Sequence, residues 1–467
     1  MNLQFKNFKK LFFLTILFCG IFCLTKSSLA ATFYVSPAGS GATCSSGSPC
    51  AAAYAMLHAV AGDTWLFQSG TYNVGSQSNN DYRAPILNPS NSGSAGNPII
   101  FQSASQGDAI INGTPYNNGC NPIGSEGDDY ITWDGFKVEC SGGSAESTVY
   151  LSSSADHVTV KNCEIIGASL SNAGSNVAGI KLEGPTHATI QNNYIHGHQD
   201  PAGNHNTAGL WTEDTSNLLV TGNTFSNNTE NIYSKYQSTN DTYALNYLDT
   251  LAAPGSSNAN FFIQNYSGPI AGMSIYQNII KGGSDSINID VTQSPPTNSF
   301  SIYNNTLYGP SSAGIGWSDN SSAYATWSAW NNITAISGGV FLDWEYPQSN
   351  PVLLNYNDYF TLGGSPQWQA RIYSTSCNAS SLANWQSNCG YEANSVTTNP
   401  SFSNASGNFS LATDFKRNSY PTNGRGGSYS SVMGAYINGN EAIGYGASGG
   451  GGGDTTPPAA PSGLSVS

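Results

Sequence analysis

The sequence predicts an all-β chain wound into a parallel β-helix of about ten rungs, with a short capping helix at the N-terminal end. Three observations carry this expectation. One short phrase keeps returning: VTVKNCEI at 158–165, ATIQNNYI at 188–195, LLVTGNTF at 218–225, MSIYQNII at 273–280, FSIYNNTL at 300–307, SAWNNIT at 328–334 and LLNYNDYF at 353–360. Aligned, the phrases put Cys163, Asn193, Asn223, Asn278, Asn305, Asn332 and Asn357 in one column, at steps of 30, 30, 55, 27, 27 and 25 residues. The long step reads as two coils, with the segment around Tyr243–Leu248 supplying the missing phrase without its Asn. A period of this size marks a repeat architecture, whose units must stack because none buries its apolar face alone. The second observation is alternation of apolar and polar residues within each phrase, which is a strand period. Shorter strands stand before the phrases: GIKLE at 179–183, GLWTE at 209–213, NIYSK at 231–235 and SINID at 286–290. The third is the Asn column itself. An inward Asn at a bend can bond the backbone of the bend and the amide of the next rung, so a ladder satisfies polar groups inside the wall.

In chain order, residues 1–30 read as a secretory signal. Lys6, Lys9 and Lys10 precede the apolar run LFFLTILFCGIFCL, and Ser28-Leu29-Ala30 is a small-residue cleavage site. The run is short for a membrane span. Processing removes four of the 14 basic residues and no acid, leaving ten against 28 acidic, a formal charge near −18. That balance argues against nucleic acid and anionic membranes as partners. Only 9% of residues are charged and 52 are Gly, which suits a turn-rich solenoid. TFYVS is a first strand, AAAYAMLHAVA a capping helix that covers the open end of the stack, and residues 76–97 a polar excursion with Asp81 and Arg83. Early rungs follow in NPIIFQS, DAIING and DDYITWDGFKVE. Seven cysteines remain after processing, and proximity pairs Cys44 with Cys50, Cys120 with Cys140 and Cys377 with Cys389. Cys163, in the Asn column, is left as a buried thiol. Residues 31–446 form the β-helix domain, and 447–467 a Gly/Pro-rich linker.

The recurring phrase, with TFYVSPAGSG and AGDTWLFQSGTY near the start, resembles the secreted right-handed parallel β-helix proteins of the pectate-lyase-like superfamily. The resemblance runs from about Ala31 to about Ile437. It implies a right-handed solenoid and an extracellular or cell-surface protein acting as a monomer. TTNPSFSNASGNFSLA resembles the closing phrase of such solenoids, and DTTPPAAPSGLSVS the opening of a fibronectin-type-III module. Activity is left open, because the superfamily holds lyases, hydrolases, epimerases, tailspikes and adhesins.

Register places the candidate chemistry. With Ile180 and Leu182 inward, Lys181 and Glu183 point out. The same alternation gives an outward column Tyr150, Lys181, Trp211, Tyr233, Phe262, Asn288, and beside it Ser152, Glu183, Glu213, Lys235, Gln264, Asp290. The loop IHGHQDPAGNHN adds His196, His198, Asp200 and His205 and is expected to overhang the Trp211/Glu213 rung. Aromatics and charges along a groove suit a sugar polymer, with Trp211, Tyr233, His198, His205 and Asp290 as substrate contacts. The plainer alternative is a solvated face of cross-strand ion pairs such as Glu213–Lys235.

Three functions follow. A lyase acting by β-elimination on a uronic-acid polymer is favoured by the lysines on the face. The resemblance implies a Lys or Arg base and often Ca²⁺ as neutraliser; no family catalytic motif matches, and on this face the base would be Lys235 or Lys181, with oxygen ligands such as Asp200, Glu183, Glu213 and Asp290 for Ca²⁺. A glycoside hydrolase would use Glu183 and Glu213, one rung apart and near the roughly 5 Å of retaining enzymes. Against it, the Asp motifs and the Arg-x-Lys signature of the polygalacturonase branch are absent, and Gly197-His198 is only a fragment of its Gly-His-Gly. A non-catalytic surface protein that binds glycan is the third.

Overall fold

A computed structural model describes residues 31–76, 84–114, 120–140, 147–167, 177–200, 207–250, 259–291, 298–319, 325–345, 351–372, 375–404 and 409–447. The expected signal segment, the linker after Ala447, and Asp81, Arg83 and His205 lie outside the described residues.

Each coil contributes one strand to each of three sheets. One coil runs through Thr159–Lys161, Glu164–Ile166 and Val177–Glu183, and the next begins with Thr189–Gln191, paired in parallel with Thr159–Lys161. Strands separated by a full coil are therefore neighbours, which defines a parallel β-helix, and it is right-handed. The three sheets hold 12, 11 and 12 strands, so the number of coils departs slightly from the expected ten. Among the described strands one pair breaks the parallel rule: Gln367–Ile372 is antiparallel to Thr375–Ala379 at the C-terminal edge. The expected helix is Ala52–His58, with Ala55 and Met56 buried against the first coils.

The interior is filled by the inward residue of every strand, Val160, Ile190, Val220, Tyr243, Ile275 and Ile302 in the first sheet among them. The Asn ladder is present and buried. The backbone N–H of Cys163 donates to Asn193 Oδ1 at 2.9 Å, that of Asn193 to Asn223 at 2.9 Å, and the pattern continues through Asn278, Asn305, Asn332 and Asn357. Each Asn Nδ2 also donates to a carbonyl one coil back, as Asn305 does to Ile275 O at 2.9 Å. One expectation is corrected: the coil between Asn223 and Asn278 does carry its Asn. Asn246 accepts from Asn223 N at 3.0 Å and donates from its own N to Asn278 at 3.0 Å. The residue before each ladder position is left-handed, with φ near 50–60° at Asn162, Asn192, Leu245, Gln277, Asn304, Asn331 and Tyr356. Asn tolerates that conformation locally; Leu245 and Tyr356 adopt it only because the stack dictates the bend. At the last coil Glu392 closes the ladder, accepting from Asn357 Nδ2 at 3.1 Å and from the Tyr359 and Ser395 hydroxyls.

The disulfides Cys44–Cys50, Cys120–Cys140 and Cys377–Cys389 form as expected, and Cys163 is a buried free thiol. After the last coil the chain turns back as a strap along the corner between the first two sheets. Asn331 Nδ2 donates to Ser430 O at 2.7 Å and Asn304 Nδ2 to Val432 O at 2.6 Å. Gly444 N donates to Leu245 O at 3.0 Å, Tyr445 N to Thr224 Oγ1 at 2.9 Å, and Gly446 N to Asn192 Oδ1 at 2.9 Å.

Candidate active site on the third sheet

The third sheet carries the candidate residues in the register the alternation implies. Lys181 pairs with Tyr150 on one side and Trp211 on the other, Trp211 with Tyr233, Tyr233 with Phe262 and Phe262 with Asn288. Beside them run Glu183, Glu213, Lys235, Gln264 and Asp290.

The two columns differ in access. The aromatic column was expected to line an open groove, yet Trp211 and Tyr233 are fully covered, and only 2% of Lys181 is exposed. Outward rings one coil apart pack on and shield each other, Trp211 tilted against Tyr233 at 4.8 Å and Tyr233 stacked on Phe262 at 5.0 Å between centroids. They form an apolar cluster outside the main core. The Lys181 ammonium lies in this layer, 2.7 Å from Glu183 Oε1. Glu183 Oε2 accepts from the Tyr150 hydroxyl at 2.8 Å. Lys181 is thus ion-paired and buried, a poor base compared with Lys235.

The second column is the accessible one. Glu213 is partly buried and accepts from Trp211 Nε1 at 2.8 Å. Burial raises its carboxyl pKa, Lys181 opposes the shift, and the charge of Glu183 adds to it. Lys235 is half-buried and, among the described residues, forms no ion pair; the Glu213–Lys235 bridge of the plainer alternative is not made. Four aromatic rings surround its ammonium instead: Trp211 at 4.8 Å, Tyr236 at 5.1 Å, Tyr266 at 5.5 Å and Tyr233 at 5.6 Å. Burial lowers the Lys235 pKa; Glu213 and Glu230 oppose that shift and Lys181 reinforces it. Asp290 accepts from Gln264 Nε2 at 2.6 Å, whose Oε1 accepts from the Tyr233 hydroxyl at 2.6 Å, and burial raises the Asp290 carboxyl pKa.

Tyr236 and Tyr266 are site residues that sequence reasoning missed. The strand register breaks after Glu213, where Thr215 pairs with Ser238. Tyr236, with φ 66°, occupies that bulge and turns towards Lys235. The signal available was the loss of alternation after Lys235.

For His198 and Asp200 the expected overhang is corrected; residues 201–206 lie outside the described residues. His198 does not overhang the face; it is buried in the corner between the second and third sheets, its N–H donating to Asn228 Oδ1 at 3.0 Å. Its ring packs so closely over Gly179 that a Cβ there would stand 2.6 Å from Nε2. Burial pushes the imidazole pKa down to about 3, with the charge of His196 acting in the same sense. Asp200 is likewise buried, its N–H donating to Thr229 Oγ1 at 2.7 Å. Among the described residues it belongs to no group of three possible metal ligands. The cause is chain length: residues 198–200 follow directly on Tyr194–His196 and are spent on the corner.

No family model matches the chain, and no curated protein matches it in sequence. Among solved structures, the pectate lyase Pel9A is 14% identical over 69% of this chain and 79% of that one, with a TM-score of 0.44. A PL6 family polysaccharide lyase from Pseudopedobacter saltans is 14% identical over 62% and 63%, at 0.33. A GH136 lacto-N-biosidase from Eubacterium ramulus is 12% identical over 72% and 64%, at 0.36. The parallel β-helix architecture itself rests on the strand pairing of this chain. At these identities the likeness is one of fold.

Proposed function

We propose that the chain is a polysaccharide lyase that cleaves a uronic-acid polymer by β-elimination, with Lys235 as the base. The observation that supports it most is the setting of Lys235. An amine that must accept a proton near neutral pH needs a lowered pKa and no anionic partner holding its proton. Lys235 has both, and two of the rings around it, Tyr236 and Tyr266, are open enough to meet the face of a sugar. The base takes the proton beside the substrate carboxylate, the electron pair forms the new double bond, and the glycosidic oxygen leaves. Trp211 lies under the ammonium and fixes its height; Tyr236 and Tyr266 are placed to touch substrate. Neutralising the substrate carboxylate falls to a cation. Glu213 stands one coil from Lys235 on one side, and on the other Gln264 intervenes before Asp290, so the two carboxylates lie three coils apart and each offers a separate oxygen donor of the kind calcium takes.

A panel of uronic polymers, with and without Ca²⁺, tests the reading by absorbance of unsaturated ends. Lys235→Ala is expected to abolish the absorbance while leaving the fold intact. Wild-type activity in that variant overturns the reading.

One observation favours a second reading, glycoside hydrolysis. Glu183 and Glu213 are register partners on adjacent coils, and their settings differ: Lys181 sits on Glu183, while burial raises Glu213. Such a divided pair assigns Glu213 as acid and Glu183 as nucleophile. Reducing sugar released without unsaturated product, and lost in both Glu→Gln variants, would select it.

A further inference from the structure

A second cluster of chemistry stands at the corner where the third sheet hands over to the first. We propose that Asp156, His157 and His187 form a binding site for a divalent transition-metal ion of the zinc type.

The corner brings the three together by stacking. His157 and His187 occupy equivalent bends one coil apart, both left-handed, with φ 55° and 50°. Their backbone N–H groups donate to Thr186 O and Ser216 O in the same ladder. This holds the two rings parallel, 4.5 Å apart at 18°, with Tyr130 stacked on the far side of His157 at 4.6 Å. Both Nδ1 atoms converge on one carboxylate: His157 lies 2.8 Å from Asp156 Oδ2 and His187 2.9 Å from Oδ1. All three ligand atoms fall within 4.8 Å of one another. Three ligands around a tetrahedral zinc stand about 3.3 Å apart, so the two His–Asp contacts, now 2.8 and 2.9 Å, would open slightly and the widest spacing, which lies within 4.8 Å, would draw in as the ion is admitted.

The surroundings support a metal. Thr186 Oγ1 donates to Asp156 Oδ1 at 2.6 Å and orients the carboxylate, while the backbone N–H of Asp156 donates to Asp129 Oδ1 at 2.9 Å and fixes the main chain at the bend. Both histidines are exposed and Asp156 is half-buried, which leaves the remaining coordination positions to water or to a ligand. Two imidazole nitrogens and one carboxylate oxygen suit zinc, copper, nickel or cobalt better than calcium or magnesium, which prefer oxygen alone. This site shares no residue with the face around Lys235.

Titration of the tag-free, chelator-treated full chain with Zn²⁺ by calorimetry tests the proposal, with Co²⁺ absorption as a second readout. The expected result is saturable binding of one ion, weakened at least about tenfold in His157→Ala and in His187→Ala, and unchanged in His58→Ala. Histidine ring signals in the NMR spectrum of the unmutated chain should move at two residues on Zn²⁺ addition. That measurement stands even where a variant folds poorly. No saturable binding, or equal affinity in the double variant, or ring shifts at other histidines, would overturn it.

Discussion

Replacing Asn305 with leucine removes an amide that receives the N–H of Asn278 and donates to Asn332 and to Ile275 O. Leucine is similar in size, so the loss is of partners and not of volume. The expected cost is about 1–3 kcal/mol, read from the shift in urea midpoint. Asn246 should cost the same, although the repeat hides it behind Leu245 in a position usually taken by Asn, Gln or Gly. The ladder's terminal residue carries a pH dependence. Burial raises the Glu392 carboxyl from its ordinary 4.5 to about 7, against the pull of its hydrogen bonds. Between those values the folded chain holds a proton that the unfolded chain has released. Stability is therefore fully present below the unfolded pKa and is lost as pH rises through about 7. Asp241 and Asp358, each raised to about 7 by burial, act in the same direction. Thermal unfolding is expected at a higher temperature at pH 5 than at pH 8, and Glu392→Gln should flatten the difference.

At the scale of the strand, the alternation of Val177–Glu183, Thr207–Ser216 and Glu230–Thr239 decides which side each residue faces. A one-residue slip would bury Lys181, Glu183 and Lys235 in the core and expose Ile180 and Leu182. Facing was therefore legible from the chain alone, and so was the sharing of a face by Glu183, Glu213, Lys235 and Asp290. Access was not. Alternation says nothing about what lies over a side chain, and the mutual packing of Trp211, Tyr233 and Phe262 closes a column that spacing makes look open. The bulge at Tyr236 and the corner pair His157 and His187 escaped for a related reason: both depend on left-handed bends, which have no period of their own. The strand also sets the pH response of the proposed reaction. With Lys235 as base, the rate of elimination is expected to rise with pH as the amine, its pKa below the ordinary 10.5, loses its proton. Tyr266→Ala opens the box to water, returns the amine pKa towards its ordinary value and should move that profile to higher pH. A profile unmoved by Tyr266→Ala would separate Lys235 from the rate.

For the whole molecule, stacked coils would ordinarily interact only with their nearest neighbours, so stability would be a sum of local terms and the ends would fray first. The strap changes this. It touches the coils of Asn331, Asn304, Leu245, Thr224 and Asn192 in turn, and Tyr445 reaches Gln106 at 2.7 Å. Deleting residues 420–467 should therefore lower the melting temperature and speed amide exchange along that corner from Asn192 to Asn331. Loss of protection confined to the last coil would count against it.

Because the strap doubles back, Ala447 comes to rest beside the early coils instead of at the far end of the stack. Tension applied between Ala31 and Ala447 would therefore load only the coils between Ala31 and the Asn192 rung. The later coils would carry no force until the strap tore free, and they would then be exposed to the full pull at once. Stretched in an optical trap, the chain is expected to resist up to one large rupture and then to lengthen coil by coil at lower force.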